Sequence, residues 1–274
     1  MDFSTSGFGD EAGATLSEQI AAIKAAHLEG LDVRSIENIN VLSLSDDALS
    51  QVRTQCENAG IRVQAVGSPI NKVVFDEDTK TREIEKLHKA IYAAQKLGTN
   101  RIRIFTPELP PHEFQTKGSE VIRLMGEMVD IARQSSMILL HENDGRYFGA
   151  FPENSKLMFH ELGCENFRAA FDFGNSVMIG VDPQSGWFPW LLPHLDTLHM
   201  KDATAEPLQF VACGAGDGKM VEIIRWLIQQ NWNGTLTLEP HLKAAGPLGG
   251  YSGPELFAYA AERMIQVAQD AKNN

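Results

Sequence analysis

The sequence predicts an α/β protein in which eight parallel strands close into a (β/α)8 barrel, the TIM-barrel architecture. Short β-like runs alternate with amphipathic helical stretches from end to end of the 274-residue chain. Strands that alternate with helices imply a parallel sheet, and roughly 250 residues is the usual size of a closed eight-stranded barrel. The alternative is an open doubly wound sheet, which usually has a glycine-rich phosphate turn after its first strand. Gly7-Phe8-Gly9 has no third glycine in phase, so we expect residues 1–274 to form one barrel domain.

The order of the predicted elements follows from apolar spacing and from helix-ending glycines. Strands are expected at residues 2–6, 31–36, 61–66, 101–105, 137–141, 169–172, 197–200 and 235–239. Helices are expected at residues 16–29, 46–59, 79–97, 120–134, 153–162, 220–230 and 254–268. Gly60 and Gly98 are placed where the second and third helices should end.

Polar and apolar side chains alternate along several predicted strands. Successive side chains of a strand point to opposite faces, so one set must pack against the helices while the other lines the barrel. The apolar set suits the helices, which leaves these polar residues inside: Asp32, Arg34, Gln64, Arg103, Thr197, His199, Lys201, Thr235 and Thr237. A barrel with so many polar residues in its interior is expected to hold a ligand.

Charge and composition exclude several classes of partner. The formal net charge is −12 and the chain has no cluster of Lys and Arg, which argues against nucleic-acid or anionic-membrane binding. The three cysteines are widely separated and fit reduced thiols better than a disulfide framework. The N-terminus lacks the pattern of a signal peptide, and the most apolar region is interrupted by Asp182, prolines and His194. We therefore expect a cytoplasmic protein with no membrane partner; a homo-oligomer is possible.

Four consecutive predicted strands carry a potential metal ligand at the C-terminal end. These residues are Glu142, Asp172, His199 and Glu239. The C-terminal ends of parallel strands open onto one rim, where barrel active sites form. Converging carboxylates would repel one another unless they took up protons or a cation, and oxygen ligands with one imidazole suit Mn2+, Mg2+ or Zn2+. Each acid alone would more often face solvent or cap a helix, but the joint pattern favours a metal site.

Several segments of the chain carry a resemblance to a known family. They are His141-Glu142-Asn143, Phe171-Asp172, His199-Met200-Lys201-Asp202, the loop Gly214–Gly218 and Leu238-Glu239-Pro240-His241-Leu242. Across essentially its whole length the sequence resembles the sugar phosphate isomerase/epimerase family, the xylose isomerase-like barrels that include D-tagatose 3-epimerase and inosose dehydratase. The resemblance implies one divalent metal held by Glu142, Asp172, His199 and Glu239. It also implies that Glu142 and Glu239 are the acid/base pair.

The implied chemistry begins with removal of a proton next to a ketose carbonyl. The resulting enediolate is stabilised by the metal, and a second carboxylate can return the proton to the opposite face. The hypothesis is a metal-dependent isomerase or epimerase of a ketose or related oxo-sugar. The alternative is a metal-dependent dehydratase or lyase of an oxo-sugar or keto-inositol, since the first step is the same. A DNA-repair endonuclease would need more metal ligands and a basic groove; a non-catalytic sugar-binding barrel stays open.

The sequence supports the predicted substrate contacts less strongly than it supports the metal ligands. These contacts are Lys201, Asn175, His241, Arg103, Arg34 and Lys72. Three of these residues also have a structural role as an alternative to substrate binding. Lys201 could form an ion pair inside the barrel, Arg34 could form one with Asp32, and Lys72 could lie on a solvated loop. Asn175 stands where many epimerase relatives have a histidine, and Ala205 lies near the position of their arginine, so both departures weaken the resemblance to the tagatose epimerases in substrate.

The glycines of the loop Gly214–Gly218 offer a weak phosphate-binding pattern. Asp217 lies within this loop, would repel a phosphate and is expected to cap the next helix. We therefore expect a small sugar substrate that needs no phosphate group.

Overall fold

The computed structural model describes residues 3–246 and 249–273. Its centre is a closed barrel of eight parallel strands, each hydrogen-bonded to the next along the chain, with the last strand paired to the first. The barrel strands are β1 Ser4–Phe8, β2 Gly30–Val33, β3 Arg62–Gly67, β4 Arg101–Ile104, β5 Ile138–Glu142, β6 Phe167–Asp172, β7 Leu195–Met200 and β8 Thr235–Leu238. The predicted (β/α)8 barrel is confirmed.

Helices connect the strands on the outside of the barrel. They are α1 Leu16–Ala25, α2 Asp46–Ala59, α3 Thr79–Leu97, α4 Phe114–Gln134, α5 Pro152–Leu162, α6 Phe173–Met178, α7 Pro183–Trp187, α8 Met220–Gln229 and α9 Pro254–Lys272. Local sequence sets several of their ends. Thr15 and Glu18 form a reciprocal capping box at the start of α1, and Gly60 and Gly98 end α2 and α3 in the left-handed conformation.

Some predicted boundaries are wrong where tertiary pairing decides them. The first helix ends at Ala25, not at residue 29, because His27 has a positive φ and Glu29 donates its N–H to Thr5 beside the barrel. The first strand is Ser4–Phe8 rather than residues 2–6, and Asp2 lies outside the described residues. The fourth helix begins at Phe114 rather than at residue 120, directly after a 3-10 turn.

The sequence also missed short elements that follow the C-terminal ends of the strands. Helices α6 and α7 both lie between β6 and β7. Three antiparallel hairpins follow β2, β7 and β8, and they pair Ser35–Ile36 with Ile39–Asn40, Asp202–Thr204 with Gln209–Val211, and Lys243–Gly246 with Gly249–Tyr251. Five of these six strands have only two or three residues, which is too few to show a periodicity in the sequence. The three hairpins lie on the rim where barrel active sites form.

The main apolar core lies between the barrel and the helices. Outward-facing residues of the strands, such as Ile102, Leu198 and Leu236, are fully or almost fully buried in it. Alternate residues of the same strands point into the barrel, so His199 follows Leu198 and Thr237 follows Leu236 on the opposite face. This packing fixes the strand phase that directs polar side chains inward. No helix in the described part of the chain is long and apolar enough to cross a membrane.

Candidate metal centre

The structure brings the four predicted metal ligands together at the C-terminal end of the barrel. Glu142 ends β5, Asp172 ends β6, His199 is the penultimate residue of β7, and Glu239 directly follows β8. One ligand atom from each of these side chains lies within 4.8 Å of the other three. All four residues are buried, so bulk water does not screen their charges.

The two glutamates converge on the same nitrogen of the His199 imidazole. Its Nδ1 atom lies 3.4 Å from Oε2 of Glu142 and 3.4 Å from Oε2 of Glu239, while Oδ2 of Asp172 is 4.0 Å away. This arrangement follows from the barrel order, because β6 and β7 lie between β5 and β8. An octahedral ion about 2.1 Å from each ligand would separate neighbouring ligand atoms by about 3.0 Å and opposite ones by about 4.2 Å. The distances from His199 fall within that range.

Several of these atoms also lack the hydrogen bonds that buried polar atoms normally make. In the part of the chain that the structure describes, His199 Nδ1 and Glu239 Oε2 are buried without a hydrogen-bond partner, and Asp172 Oδ2 lies 2.8 Å from the ammonium group of Lys201. Burial of such atoms is costly unless another group satisfies them. Three carboxylate oxygens and one imidazole nitrogen converging on a point fit a divalent cation, and the donor set suits Mn2+, Mg2+ or Zn2+.

The pKa values in the cluster show how strongly it attracts positive charge. Burial raises the pKa of Asp172 to about 7, and the ammonium group of Lys201 offsets this only in part. Burial disfavours the charged imidazole of His199, but Glu142 and Glu239 outweigh it and raise the pKa of His199 to about 10. Burial also acts against ionised Glu142, yet His199 and Arg103 hold its pKa below the usual range. The carboxylates therefore favour a cation at their centre, either a proton on the imidazole or a metal ion.

Two predicted substrate contacts, Arg103 and Asn175, fix the orientation of Glu142. Nη1 of Arg103 donates to Oε2 of Glu142 at 3.1 Å, and Nδ2 of Asn175 donates to Oε1 at 3.1 Å. The backbone N–H of Asn175 also donates to Oδ1 of Asp172 at 2.7 Å, where α6 begins. These bonds leave Oε2 of Glu142 and Oδ2 of Asp172 directed at the cluster.

Arg34 fixes the orientation of the carboxylate of Glu239. Its Nη1 donates to Oε1 of Glu239 at 2.7 Å, while its Nε and Nη2 donate to Asp10 at 2.8 Å and Glu11 at 3.2 Å. Nε2 of His241 lies 3.2 Å from Oε1 of Glu11 and 3.5 Å from Oε1 of Glu239. Oε1 of Glu239 is thus held by cationic groups, and Oε2 is left for the cluster.

The structure shows that one alternative role considered from the sequence, an ion pair between Arg34 and Asp32, is wrong. Arg34 does not pair with Asp32, whose carboxylate accepts a hydrogen bond from the hydroxyl of Ser6. Sequence reasoning missed Asp10 and Glu11, which lie in a 3-10 turn directly after β1. A signal was available, because these acids also follow a barrel strand at its C-terminal end.

The two predicted lysines occupy different places. Nζ of Lys201 is buried 2.8 Å from Oδ2 of Asp172 and 3.6 Å from Oε2 of Glu239, so Lys201 belongs to the cluster. Nζ of Lys72 pairs with Asp144 at 2.7 Å and lies 4.2 Å from the ring centre of Phe105. Lys72 is partly exposed and joins the loops after β3 and β5 at the rim. Each lysine is therefore paired with a carboxylate, as expected if its role is structural.

Aromatic rings border the polar groups, and sequence reasoning did not assign two of them to the site. Phe8 meets the edge of the His199 ring at 5.5 Å, and the guanidinium groups of Arg34 and Arg103 lie 4.9 and 5.1 Å from its centre. Phe210, in the hairpin after β7, lies 5.4 Å from the ring of His241. These rings place apolar surface beside the charged groups, which strengthens the electrostatic interactions there.

The glycine loop after β7 already holds an anion, the carboxylate of Asp202. The backbone N–H groups of Ala203, Gly214, Gly216 and Gly218 donate to it at 2.9, 2.9, 3.0 and 3.0 Å. A Cβ atom at position 216 would collide with the carbonyl oxygen of Ala203, so this approach requires glycine. These amides are therefore taken by the chain's own carboxylate rather than left for a phosphate.

The predicted role of Asp217 in this loop is wrong. Its side chain does not cap α8; instead it accepts a hydrogen bond from the N–H of Ala205 at 2.8 Å. Lys219 precedes α8 and has a left-handed backbone, with φ of 53° and no side-chain cap. The fold turns Asp217 toward the hairpin after β7 because the loop wraps around Asp202.

We expect replacement of Asp202 by alanine to lower the free energy of unfolding by about 3 kcal/mol, because four backbone amides lose their charged acceptor. Urea unfolding measures this loss. Asp217→Ala is the matched control; it removes one exposed hydrogen bond of the same loop and should cost about 0.5 kcal/mol or less. Equal losses for the two variants would contradict the assigned role of Asp202.

Comparisons with known proteins agree with the fold. The profile of the family described as Xylose isomerase-like TIM barrel matches residues 20–265. No curated protein sequence matches the chain. A D-tagatose 3-epimerase-like protein superposes with a TM-score of 0.80 at 13% identity, over 98% of this chain and 98% of that one. The probable 3-DHS dehydratase AsbF from Bacillus anthracis superposes with a TM-score of 0.76 at 15% identity, over 97% of this chain and 99% of that one.

A further solved structure contains a metal. It is a xylose isomerase-like TIM barrel protein from Mycobacterium smegmatis in complex with magnesium, with a TM-score of 0.73 and 16% identity over 98% of this chain and 97% of that one. At such identities these structures establish a shared fold and not a shared substrate. The family profile spans most of the barrel, and the resemblance seen in the sequence is confirmed. The chain belongs to the xylose isomerase-like TIM barrel family.

Proposed function

We propose that this protein is a divalent-metal-dependent isomerase or epimerase that acts on a ketose or a related oxo-sugar. One observation carries the proposal: an oxygen of each of two buried glutamates, Glu142 and Glu239, lies 3.4 Å from the same imidazole nitrogen of His199. Each has its other carboxylate oxygen held, Glu142 by Asn175 and Glu239 by Arg34. Two oriented carboxylates that enter the same site from different strands suit the removal of a proton from one face of a sugar carbon and its return to the other.

In this proposal Glu142, Asp172, His199 and Glu239 hold the metal, and the two glutamates move the proton. The bound metal supplies positive charge that stabilises the negative oxygen of the enediolate. Arg34 and Asn175 keep the glutamates in position, so little reorganisation is needed during the reaction. Phe8 and Phe210 border the site and exclude water from the proton being transferred.

The charges around the site favour a substrate without a phosphate group. Arg34, Arg103 and Lys201 are each paired with carboxylates of the cluster or its surroundings. Lys72 is paired with Asp144 at the rim. The amides of the glycine loop are occupied by Asp202. Any anionic group on the substrate would have to displace one of these partners, whereas sugar hydroxyls can share them.

Lys201 supports a second candidate, a dehydratase or lyase acting on an oxo-sugar or keto-inositol. Elimination of a β-hydroxyl follows the same proton removal but needs a group that can assist departure of the hydroxyl. The ammonium group of Lys201 lies 3.6 Å from Oε2 of Glu239, which places a positively charged hydrogen-bond donor beside the proposed base. A structural neighbour described as a probable dehydratase is consistent with this branch of the chemistry.

A solvent deuterium experiment tests the proposal and separates the two candidates. The protein loaded with Mn2+ or Mg2+ is incubated in D2O with a panel of unphosphorylated ketoses and oxo-inositols, and the products are followed by NMR. Deuterium at the carbon next to the carbonyl, without water loss, is expected for an isomerase or epimerase. A conjugated enone product would assign the dehydratase. Sugar binding by calorimetry without deuterium uptake in any compound would favour a non-catalytic barrel.

The cytoplasmic location and the absence of nucleic-acid partners stay predictions from the sequence.

A further inference from the structure

A cavity of about 840 Å3 opens at the end of the barrel opposite the metal centre. Residues at the N-terminal ends of strands line it, including Ser4, Arg62, Arg101, Arg168, Leu195 and Thr235. Arg168 and Asp172 are four positions apart on β6, which corresponds to about 13 Å at roughly 3.3 Å per residue. The cavity and the metal centre therefore face opposite mouths of the same barrel.

Side chains inside the barrel stand between this cavity and the metal centre. Gln64 is buried and donates from Nε2 to Oγ1 of Thr235 at 3.0 Å, which links β3 to β8 across the interior. The same amide accepts a hydrogen bond from Nε of Arg62 at 2.8 Å. A ligand in the cavity would rest on these groups and would not reach the metal ligands.

Arginine dominates the charge of the cavity wall. Arg101 is paired with Asp196, which its Nε and Nη2 contact at 3.2 and 3.3 Å. Arg62 is paired at 2.9 Å with Glu29, and both of these side chains are largely exposed. Three arginines and one aspartate are among the lining residues. Counted with Glu29 and Asp196, the three arginines leave an excess of one positive charge at this mouth of the barrel, in a chain of net charge −12.

Of the three arginines that line the cavity, Arg168 has the donors most available to a ligand. Its Nη1 and Nη2 donate to the backbone carbonyls of Pro193 at 2.8 Å and Leu195 at 3.2 Å. No acidic side chain in the described ranges, 3–246 and 249–273, forms an ion pair with Arg168. A guanidinium group has five N–H donors, so Arg168 keeps donors for another acceptor while its charge is uncompensated.

We propose that this N-terminal cavity binds a compact, multiply charged oxyanion, such as the phosphate group of a small metabolite. Forked guanidinium donors match the geometry of phosphate oxygens, and the cavity holds three of them at one mouth of the barrel. Asn100 and Asn233 also line the cavity and add amide donors. The proposal does not depend on the reaction proposed for the metal centre, because the two sites share no side chain.

Inorganic phosphate is the probe for the test, titrated into the metal-loaded protein at low ionic strength. Calorimetry measures binding, and Trp232, a lining residue, gives a fluorescence change as an independent readout. We expect one saturable site with a millimolar dissociation constant. Arg168→Gln and Arg62→Gln should each weaken binding about tenfold or more. Arg168→Lys keeps the charge but loses the forked donors, so its affinity should fall between those of the native protein and Arg168→Gln.

Two further variants locate the bound anion. Arg53→Gln is the matched control, because Arg53 pairs with Glu57 on the exposed surface of α2 and should leave phosphate affinity unchanged. Asp172→Asn should also leave it unchanged, whereas loss of binding in this variant would place the anion at the metal centre and overturn the proposal. The absence of saturable binding would overturn it too, as would unaltered affinity in folded Arg168→Gln and Arg62→Gln. Circular dichroism and urea unfolding establish that each variant is folded.

Discussion

Replacement of Glu239 by glutamine is expected to lower the rate of proton exchange on a substrate about 1000-fold while the barrel stays folded. Glutamine has nearly the same shape, and its carbonyl oxygen can still accept the 2.7 Å hydrogen bond from Arg34. It cannot accept a proton from carbon at neutral pH. Because an amide is also a weaker metal ligand than a carboxylate, exchange is measured with both proteins saturated with Mn2+ or Mg2+. Deuterium incorporation followed by NMR gives the exchange rate, and circular dichroism reports the fold.

The control for this variant is Glu83→Gln. Glu83 is also fully buried, but it accepts a hydrogen bond from the N–H of Asn71 and pairs with Lys86, away from the metal cluster. Its replacement should affect stability and leave exchange close to the native rate. Native turnover by Glu239→Gln would remove Glu239 from the acid/base role. Equal loss of exchange in both variants would show that the effect is an unspecific consequence of altering a buried carboxylate.

Removal of divalent metal is expected to abolish activity completely, and Mn2+ or Mg2+ should restore it. Without the ion, the negative charge that develops on the substrate oxygen loses its main stabilisation. A metal that binds the folded protein alone also stabilises it, by about 2.7 kcal/mol when the ion is present at 100 times its dissociation constant. For a chain of this size that corresponds to a rise in Tm of roughly 5 °C. Differential scanning calorimetry of chelator-treated and metal-supplemented protein measures the change.

Variants of the ligands show where the metal acts. Asp172→Asn and His199→Gln should each reduce the metal-dependent rise in Tm, because each weakens one of the converging ligands. Glu83→Gln should keep the full rise. If chelator-treated protein with no measurable bound metal retained full activity, the proposed metal chemistry would be wrong. If the rise in Tm persisted in Asp172→Asn and His199→Gln, the ion would have to bind elsewhere.

The strand ends show why so much of the candidate site could be predicted from a single sequence. Glu142, Asp172, His199 and Glu239 each follow an apolar run, and a parallel barrel directs the end of every such run to one rim. Their convergence therefore needed only the strand count and the strand phase. Residues that act through long-range contacts were not predicted in this way. Glu11 contacts Arg34 and His241, which lie in the segments after β2 and β8, and no local pattern indicates those partners.

The glycine loop and the hairpins show a second limit. The spacing of Gly214, Gly216 and Gly218 indicated close backbone approach, but only the folded chain shows that the approaching group is the carboxylate of Asp202. The hairpin after β7 brings Phe210 beside His241, although its strands are too short to show periodicity. Such contacts depend on how loops fold over the rim, and side-chain packing in three dimensions decides that.

The sequence by itself therefore determined the barrel, its polar interior and the four residues that can meet at one ion, because alternation along strands and their parallel order are local properties that repeat. Only the tertiary structure decided which oxygen of each glutamate faces the cluster, through Arg34 and Asn175. It alone placed the arginine-lined cavity at the opposite mouth. Hydrogen bonds and ion pairs between distant segments fix these features, and their partners become neighbours only when the barrel closes.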